Sequence, residues 1–171
     1  PHQAGDFSFP ISYGYCAVAK VIECGAGIKN TLPSDIIFAL HPHQDVFQID
    51  EGMANPVPAH VPPARACLAA TLGTALNAWW DGEALADDRI TVVGAGVVGL
   101  LTAYVAQKRS GRPVQIIDID ERKREKAQAL GLTFKTPQEA ERERSLIFHT
   151  SASAAGLQTA LDMAAFEGRI V

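Results

Sequence analysis

Cysteine is scarce and unpatterned in this chain: Cys16, Cys24 and Cys67 form no Cys-x-x-Cys pair. An odd number of thiols argues against a disulfide framework and for a reducing compartment, so a cytoplasmic setting is expected. Long basic runs are also missing. Arg122, Lys123 and Arg124 lie between Glu121 and Glu125 as on a solvated helix face, and the net charge is −4, so no nucleic-acid partner is expected. There is no internal repeat, no low-complexity segment and no signal-peptide pattern. The chain also lacks an initiating Met and opens at Pro1, which reads as a fragment. What remains, 47% hydrophobic and 20% charged over 171 residues, suits one large or two small globular domains.

Charge is absent altogether between Arg89 and Lys108. A membrane span needs about 20 apolar residues, so length alone does not decide the matter. Spacing does. Gly94, Gly96 and Gly99 follow the β-branched run Ile90 to Val93 and precede a helix-permissive run to Gln107. This is G-x-G-x-x-G between a strand and a helix, the dinucleotide-binding pattern. The first glycine allows a tight turn, the second leaves room for a pyrophosphate, and the third lets helix and strand pack closely, with helix N–H groups facing the phosphate. The pattern requires an acidic residue roughly 20 positions on. Asp118 ends the apolar run from Val114. A nucleotide, and not a membrane, is the expected partner.

The organisation on either side differs. Up to about residue 62, short apolar runs among turn residues read as β, with candidates over 15–22, 35–40 and 46–49. Four prolines, at 56, 58, 62 and 63, mark a change of character before the Ala- and Leu-rich stretch 64–80, which reads as helix. A boundary is therefore expected between a domain over 1–62 and a second over 63–171. From Asp87 onward strands and helices alternate: strands at 90–93, 114–118, 132–135, 145–149 and 169–171, helices at 97–107, 121–130, 138–143 and 154–165. Thr136-Pro-Gln-Glu139 has the form of a capping box for the third of these helices. Alternation of this kind predicts an α/β fold, a doubly wound parallel sheet of the Rossmann type, ending here in its fifth strand.

These residues resemble the medium-chain dehydrogenases/reductases, which join a GroES-like β domain to a Rossmann domain. The resemblance is carried by Pro10 to Cys16, Val18 to Gly25, Leu32 to Phe38, Thr74 to Ala78, the three-glycine turn with Asp118, and Ala127 to Gly131. Within the family the chain is most similar to zinc-type alcohol dehydrogenases and bacteriochlorophyllide-dehydrogenase-like proteins, which carry a Leu-His-Pro-His segment like Leu40 to His43. The resemblance implies that residues 1–62 are part of a GroES-like catalytic domain and that 63–171 are a truncated Rossmann domain. It implies an NAD(P)-dependent oxidoreductase of alcohol or carbonyl substrates, with possible homodimerisation of a full-length protein.

Departures from the family pattern gather at the metal. Zinc-dependent members have Gly-His-Glu where this chain has Gly14-Tyr15-Cys16, and no Cys, Glu, Asp or His lies between Leu68 and Ala78 where a second ligand belongs. A catalytic site needs about three protein ligands, so no family-type catalytic zinc is expected. His41 and His43 stand as a different metal pair, a polar pair lining a cleft, or surface histidines. Cys16 reads as a small buried hydrophobe in a strand, or as a ligand or nucleophile.

Without zinc, hydride transfer still needs a donor for the oxygen that develops charge. Tyr15 occupies the lost ligand's position and is the first candidate, against a structural aromatic; His43 is the second. Thr74 resembles a threonine that contacts the nicotinamide, or is a helix hydroxyl bonded to its own backbone. Gly94, Gly96 and Gly99, with Val98 at the helix start, are expected at the pyrophosphate, Asp118 at the adenosine ribose, and Ser151 in a ribose-facing loop. Asp118 favours NAD over NADP by like-charge repulsion, while Arg122 and Lys123 keep NADP possible. Two other functions stay open: a nucleotide-binding module without turnover, and a zinc-free quinone or enone reductase.

Overall fold

In the computed structural model Pro10 and residues 12–171 are described, and within these residues the chain forms two compact units, up to Ala70 and from Thr71. The opening at Pro1, and Ile11 of the Pro10 to Cys16 segment, lie outside the described residues. Among the described residues no helix is long and apolar enough to cross a membrane.

The first unit is built on a small antiparallel sheet of β1 (Ala17–Lys20), β2 (Ile36–Ala39) and β3 (Asn55–Pro56), in that order. The two strands expected at 15–22 and 35–40 are present, trimmed at their ends. The third candidate, 46–49, is not a strand. Asn55 and Pro56 pair with Phe38 and Ile37 instead, and Val57 N–H donates to the Ile36 carbonyl at 2.9 Å. Phe47 is drawn away to stack on His41, ring centroids 4.1 Å apart, and the segment 45–51 walls a cavity of about 590 Å³ beside β1. Cys16 precedes β1 and is only half-buried, which corrects its reading as a buried strand residue.

The helix expected over 64–80 is broken into α1 (Pro63–Ala66) and α2 (Ala69–Asp81). Leu68 N–H donates to the Arg65 carbonyl, a tightened 3₁₀ link that interrupts the regular ladder.

The second unit is a five-stranded parallel sheet of β4 (Ile90–Val93), β5 (Gln115–Ile117), β6 (Thr133–Lys135), β7 (Arg144–His149) and β8 (Ala164–Ile170). Its order is β6-β5-β4-β7-β8, so the first strand is central and the chain reverses direction of winding there. This is the doubly wound α/β arrangement, whose ligands sit beyond the carboxyl ends of the strands at the reversal. Every residue of β4 is buried, as a central parallel strand covered on both faces requires. On one face Ile90, Val92, Ile116, Phe134, Leu146 and Phe148 pack with Ala103 and Ala106 of α3 (Val97–Ser110) and Ala127 of α4 (Arg124–Ala129). On the other, Val93, Ile117 and Ile147 meet Ala160 and Met163 of α5 (Ala154–Met163).

Three elements of this unit depart from their sequence signals. Over 121–130 a 3₁₀ turn, Glu121–Lys123, leads into the short α4. No helix forms over 138–143. Half of the capping box is made, Thr136 N–H donating to Glu139 Oε2, while the Thr136 hydroxyl donates to the same oxygen and the Glu139 N–H donates to the Thr136 carbonyl, and the chain then goes straight. The buried amide of Gln115 accepts from Glu141 N–H at 2.8 Å and donates to the Glu141 carbonyl, so the backbone groups that a helix would use are already engaged. Finally, α5 ends at Met163 and β8 begins at Ala164, with a bulge before the pairing of Arg169 and Ile170 to Leu146 and Ile147.

Candidate dinucleotide site

The site is the reversal point itself. β4 ends at Val93, and Gly94 turns the chain at φ +107°, a conformation that L side chains rarely adopt. Its N–H donates to the Ile117 carbonyl at 2.7 Å. The three glycines have three different surroundings. A methyl on Gly94 would meet the Ser151 backbone at 2.8 Å, one on Gly99 would stand 1.8 Å from the Gly94 carbonyl oxygen, and one on Gly96 would meet nothing within 4 Å. Gly94 and Gly99 are thus spent on packing the turn, and Gly96 faces open space at the start of α3. Val98 lies half-buried in the first turn of that helix.

Asp118, at the end of β5, is tied to this turn. Oδ2 accepts from the Ala95 N–H at 2.7 Å and from Lys123 Nζ at 2.8 Å, and Oδ1 accepts from the Asp120 N–H at 2.9 Å. Its side chain is 9% exposed. Burial opposes its ionisation, but the hydrogen bonds from Lys123, Asp120 and Ala95 and the Lys123 charge outweigh this, and the carboxyl is held below the usual carboxylate range. Arg122 turns to Asp120 in a two-pronged pair at 2.8 and 2.9 Å, which holds the Asp120 carboxyl down to about 2.

The opposite wall comes from β7. Thr150 donates its hydroxyl to the carbonyls of Val93 and Gly94, both at 3.0 Å. Ser151 follows, then Ala152 at φ +52°, and Ser153 caps α5 by accepting from the Gly156 N–H. Between the walls lies a cavity of about 470 Å³ lined by Gly94, Gly96, Asp118, Lys123, Ser151 and Gly156, among others. Of the residues singled out in the sequence, Gly94, Gly96, Asp118 and Ser151 meet here, with Gly99 beneath the turn. Thr150 and the Ala95 N–H carry no sequence signal of their own; the hint for Thr150 was only its place at the end of an apolar run.

In the first unit, Tyr15 is 65% exposed. His43 donates its backbone N–H to the Tyr13 carbonyl at 2.7 Å and lays its ring over Gly14, where a methyl would fall 2.3 Å from Cδ2. His41 is stacked on Phe47, so the two histidines have separate surroundings. Among the described residues no three His, Cys, Asp or Glu side chains are grouped to hold a metal. Thr74 lies exposed on α2.

No family model matches the chain. It is 23% identical over 164 residues to the (R,R)-butanediol dehydrogenase of Bacillus subtilis strain 168, covering 80% of this chain and 47% of that protein. It is 25% identical over 171 residues to an uncharacterized zinc-type alcohol dehydrogenase-like protein of Haemophilus influenzae, covering 91% and 50%. The chain therefore spans about half the length of the curated relatives it matches. Among solved structures it superposes on a short chain alcohol dehydrogenase from Escherichia coli CFT073 complexed with NADH. There the TM-score is 0.69 at 16% identity, over 90% of this chain and 58% of that one. The resemblance to alcohol dehydrogenases holds in sequence and in fold, with a small GroES-like antiparallel sheet and a Rossmann-type parallel sheet.

Proposed function

We propose that this chain binds a nicotinamide adenine dinucleotide, NAD in preference to NADP, and that it serves an oxidoreductase acting on alcohol or carbonyl substrates. The observation that carries the reading is the bond from the Ala95 N–H to Asp118 Oδ2. It links the ribose acceptor to the turn whose second glycine leaves space for a pyrophosphate. The residues present fit the group: main-chain N–H groups at the start of α3 face anionic oxygens, and an ionised carboxylate accepts from ribose hydroxyls. A 2′-phosphate would meet that carboxylate's charge, which favours NAD, although Lys123 offsets part of it. An alcohol dehydrogenase structure complexed with NADH shares the fold.

The bound nicotinamide supplies the hydride chemistry. We assign Tyr15, and after it His43, to donating a hydrogen bond to the reacting oxygen, and Thr74 to contact with the nicotinamide. The donor set does not fit a catalytic zinc: Tyr15 stands where a zinc-ligating His belongs, and residues 68–78 offer no ligand. The domain division at residues 62 and 63 and the pairing of two copies in a longer protein belong to the same proposal. Three unpaired thiols support a reducing compartment, the cytoplasm.

The test is fluorescence titration of the chain with NADH and NADPH, followed by absorbance assays with NAD and a panel of alcohols. NADH binding tighter than NADPH, with turnover, is the expected result. Binding without turnover across the panel would make the chain a nucleotide-binding module, and absence of binding would end the proposal.

A further inference from the structure

Resting on the dinucleotide reading, the geometry points to His149 as a positioning residue that fixes the Ser151 hydroxyl for the second ribose of the dinucleotide, the one away from adenine. Asp118 and Ser151 stand at the ends of β5 and β7, which flank β4 on opposite sides. With the pyrophosphate over the glycine turn between them, a ribose at Asp118 leaves the other ribose on the Ser151 side.

Ser151 is confined from three directions. Its backbone N lies 2.8 Å from where a methyl on Gly94 would be, and its Oγ lies 1.9 Å from where one on Gly156 would be, so two bare α-carbons make room for it. His149 Nε2 and Ser151 Oγ are hydrogen-bonded at 2.8 Å, and Ser151 Oγ and Ser153 Oγ at 3.1 Å. Ser153 in turn accepts from the Gly156 N–H, so the series ends on the first turn of α5.

A serine hydroxyl has one donor and two acceptor positions. His149 and Ser153 take two of the three, and the third is left for the groove. Depending on the His149 tautomer and on which hydroxyl donates in the Ser151–Ser153 bond, that third position is either a lone pair or the O–H. A ribose hydroxyl can both give and accept, so it suits either case. A phosphate oxygen only accepts, and suits only one. His149 does not line the cavity itself; it works through Ser151, whose neighbour Ala152 sits at φ +52°.

The experiment uses the 171-residue chain and two probes: ADP, which has only the adenosine ribose, and ADP-ribose, which has both. For His149→Ala we expect ADP-ribose binding weakened about tenfold, the loss of one ordered hydrogen bond, with ADP binding unchanged. His149→Gln, which can return a polar atom near the Nε2 position, should bind ADP-ribose within about threefold of wild type. The double variant with Ser151→Ala should be no weaker than Ser151→Ala alone, since the two act as one unit. Unchanged ADP-ribose binding in His149→Ala, equal loss of ADP and ADP-ribose, or additive losses in the double variant would each overturn the inference. If His149→Ala does not fold, Ser151→Ala carries the test, and wild-type ADP-ribose affinity there overturns it. A wild-type chain that binds neither probe defeats the dinucleotide reading itself.

Discussion

Gly99 packs so closely beneath Gly94 that a methyl group on it would stand 1.8 Å from the Gly94 carbonyl oxygen, whereas Gly96, three residues earlier, has open space over its α-carbon. Two glycines of one motif therefore answer to different demands, one to the fold and one to the ligand.

The first prediction separates them. Gly99→Ala should lower stability by about 2–3 kcal/mol or prevent folding, because the clash is with backbone that has no room to yield. Gly96→Ala, at φ −75°, should melt like wild type yet lose NADH binding by tenfold or more, its methyl entering the pyrophosphate space. Thermal melts and NADH titrations on both variants decide; a Gly96→Ala chain that binds normally would remove the second glycine from the site.

Asp118 should govern the choice of cofactor. Asp118→Asn keeps the shape but loses the charge, and NADH binding should fall by about 10- to 100-fold, the worth of a hydrogen bond to a charged acceptor. NADPH should lose less, because the repulsion goes as well. Equal losses for both cofactors in parallel titrations would show that the carboxylate does not face the ribose.

Acid should weaken the second unit through two carboxylates. Asp88 is buried, which opposes ionisation. The Leu85 N–H, the Ser145 hydroxyl and Arg169 more than compensate and hold it below its ordinary 3.8, as Asp118 is held by its own donors. A carboxyl whose folded pKa is depressed adds stability that is present above the unfolded pKa and lost as pH falls through the folded one. Urea unfolding between pH 7 and pH 2.5 should therefore show a decline beginning near pH 4, and Asp88→Asn should flatten it. At pH 7 that variant should cost about 1–3 kcal/mol, less than a fully buried pair because Arg169 is 35% exposed. An unchanged pH profile in Asp88→Asn would show that other groups set the acid limit.

Gln115 should control the segment after β6. In Gln115→Ala the Glu141 N–H loses its acceptor and the Thr91 hydroxyl keeps only the Arg144 donor, at a cost of about 1–3 kcal/mol. Hydrogen exchange at the Glu141 amide should quicken well before global unfolding. Unchanged exchange there would mean that the amide does not hold the segment.

That segment also shows where sequence signals stopped. Thr136 to Glu139 carries a helix-start pattern, and the bond from the Thr136 N–H to Glu139 forms as such patterns require, yet no helix follows. What stops it is a glutamine 26 residues earlier, placed opposite Glu141 only by the pairing of β5 and β6 beside it. The strand expected at 46–49 failed for a similar reason: ladder positions on β2 were taken by Asn55 and Pro56, and a pair of aromatic rings folded Phe47 elsewhere. The glycine turn was legible because each step in it lies within ten residues. His149 and Thr150 were not, since their roles exist only once β7 lies beside β4, and the Ala95 N–H meets Asp118 only once β5 lies on the other side of β4.

By itself the sequence determined the alternation of strand and helix except between β6 and β7, the strand-turn-helix at Gly94 to Gly99 and the acidic end of β5. Local sterics and apolar periodicity act over a few residues and need no partner. Tertiary structure alone decided which hydroxyls, amides and charges meet across the groove. It tied Asp118 to Lys123 and Ala95, turned Arg122 to Asp120, and set Ser151 between Gly94 and Gly156. Hydrogen bonds are short-ranged and directional, and residues far apart in the chain form them only after packing has fixed the distance between them.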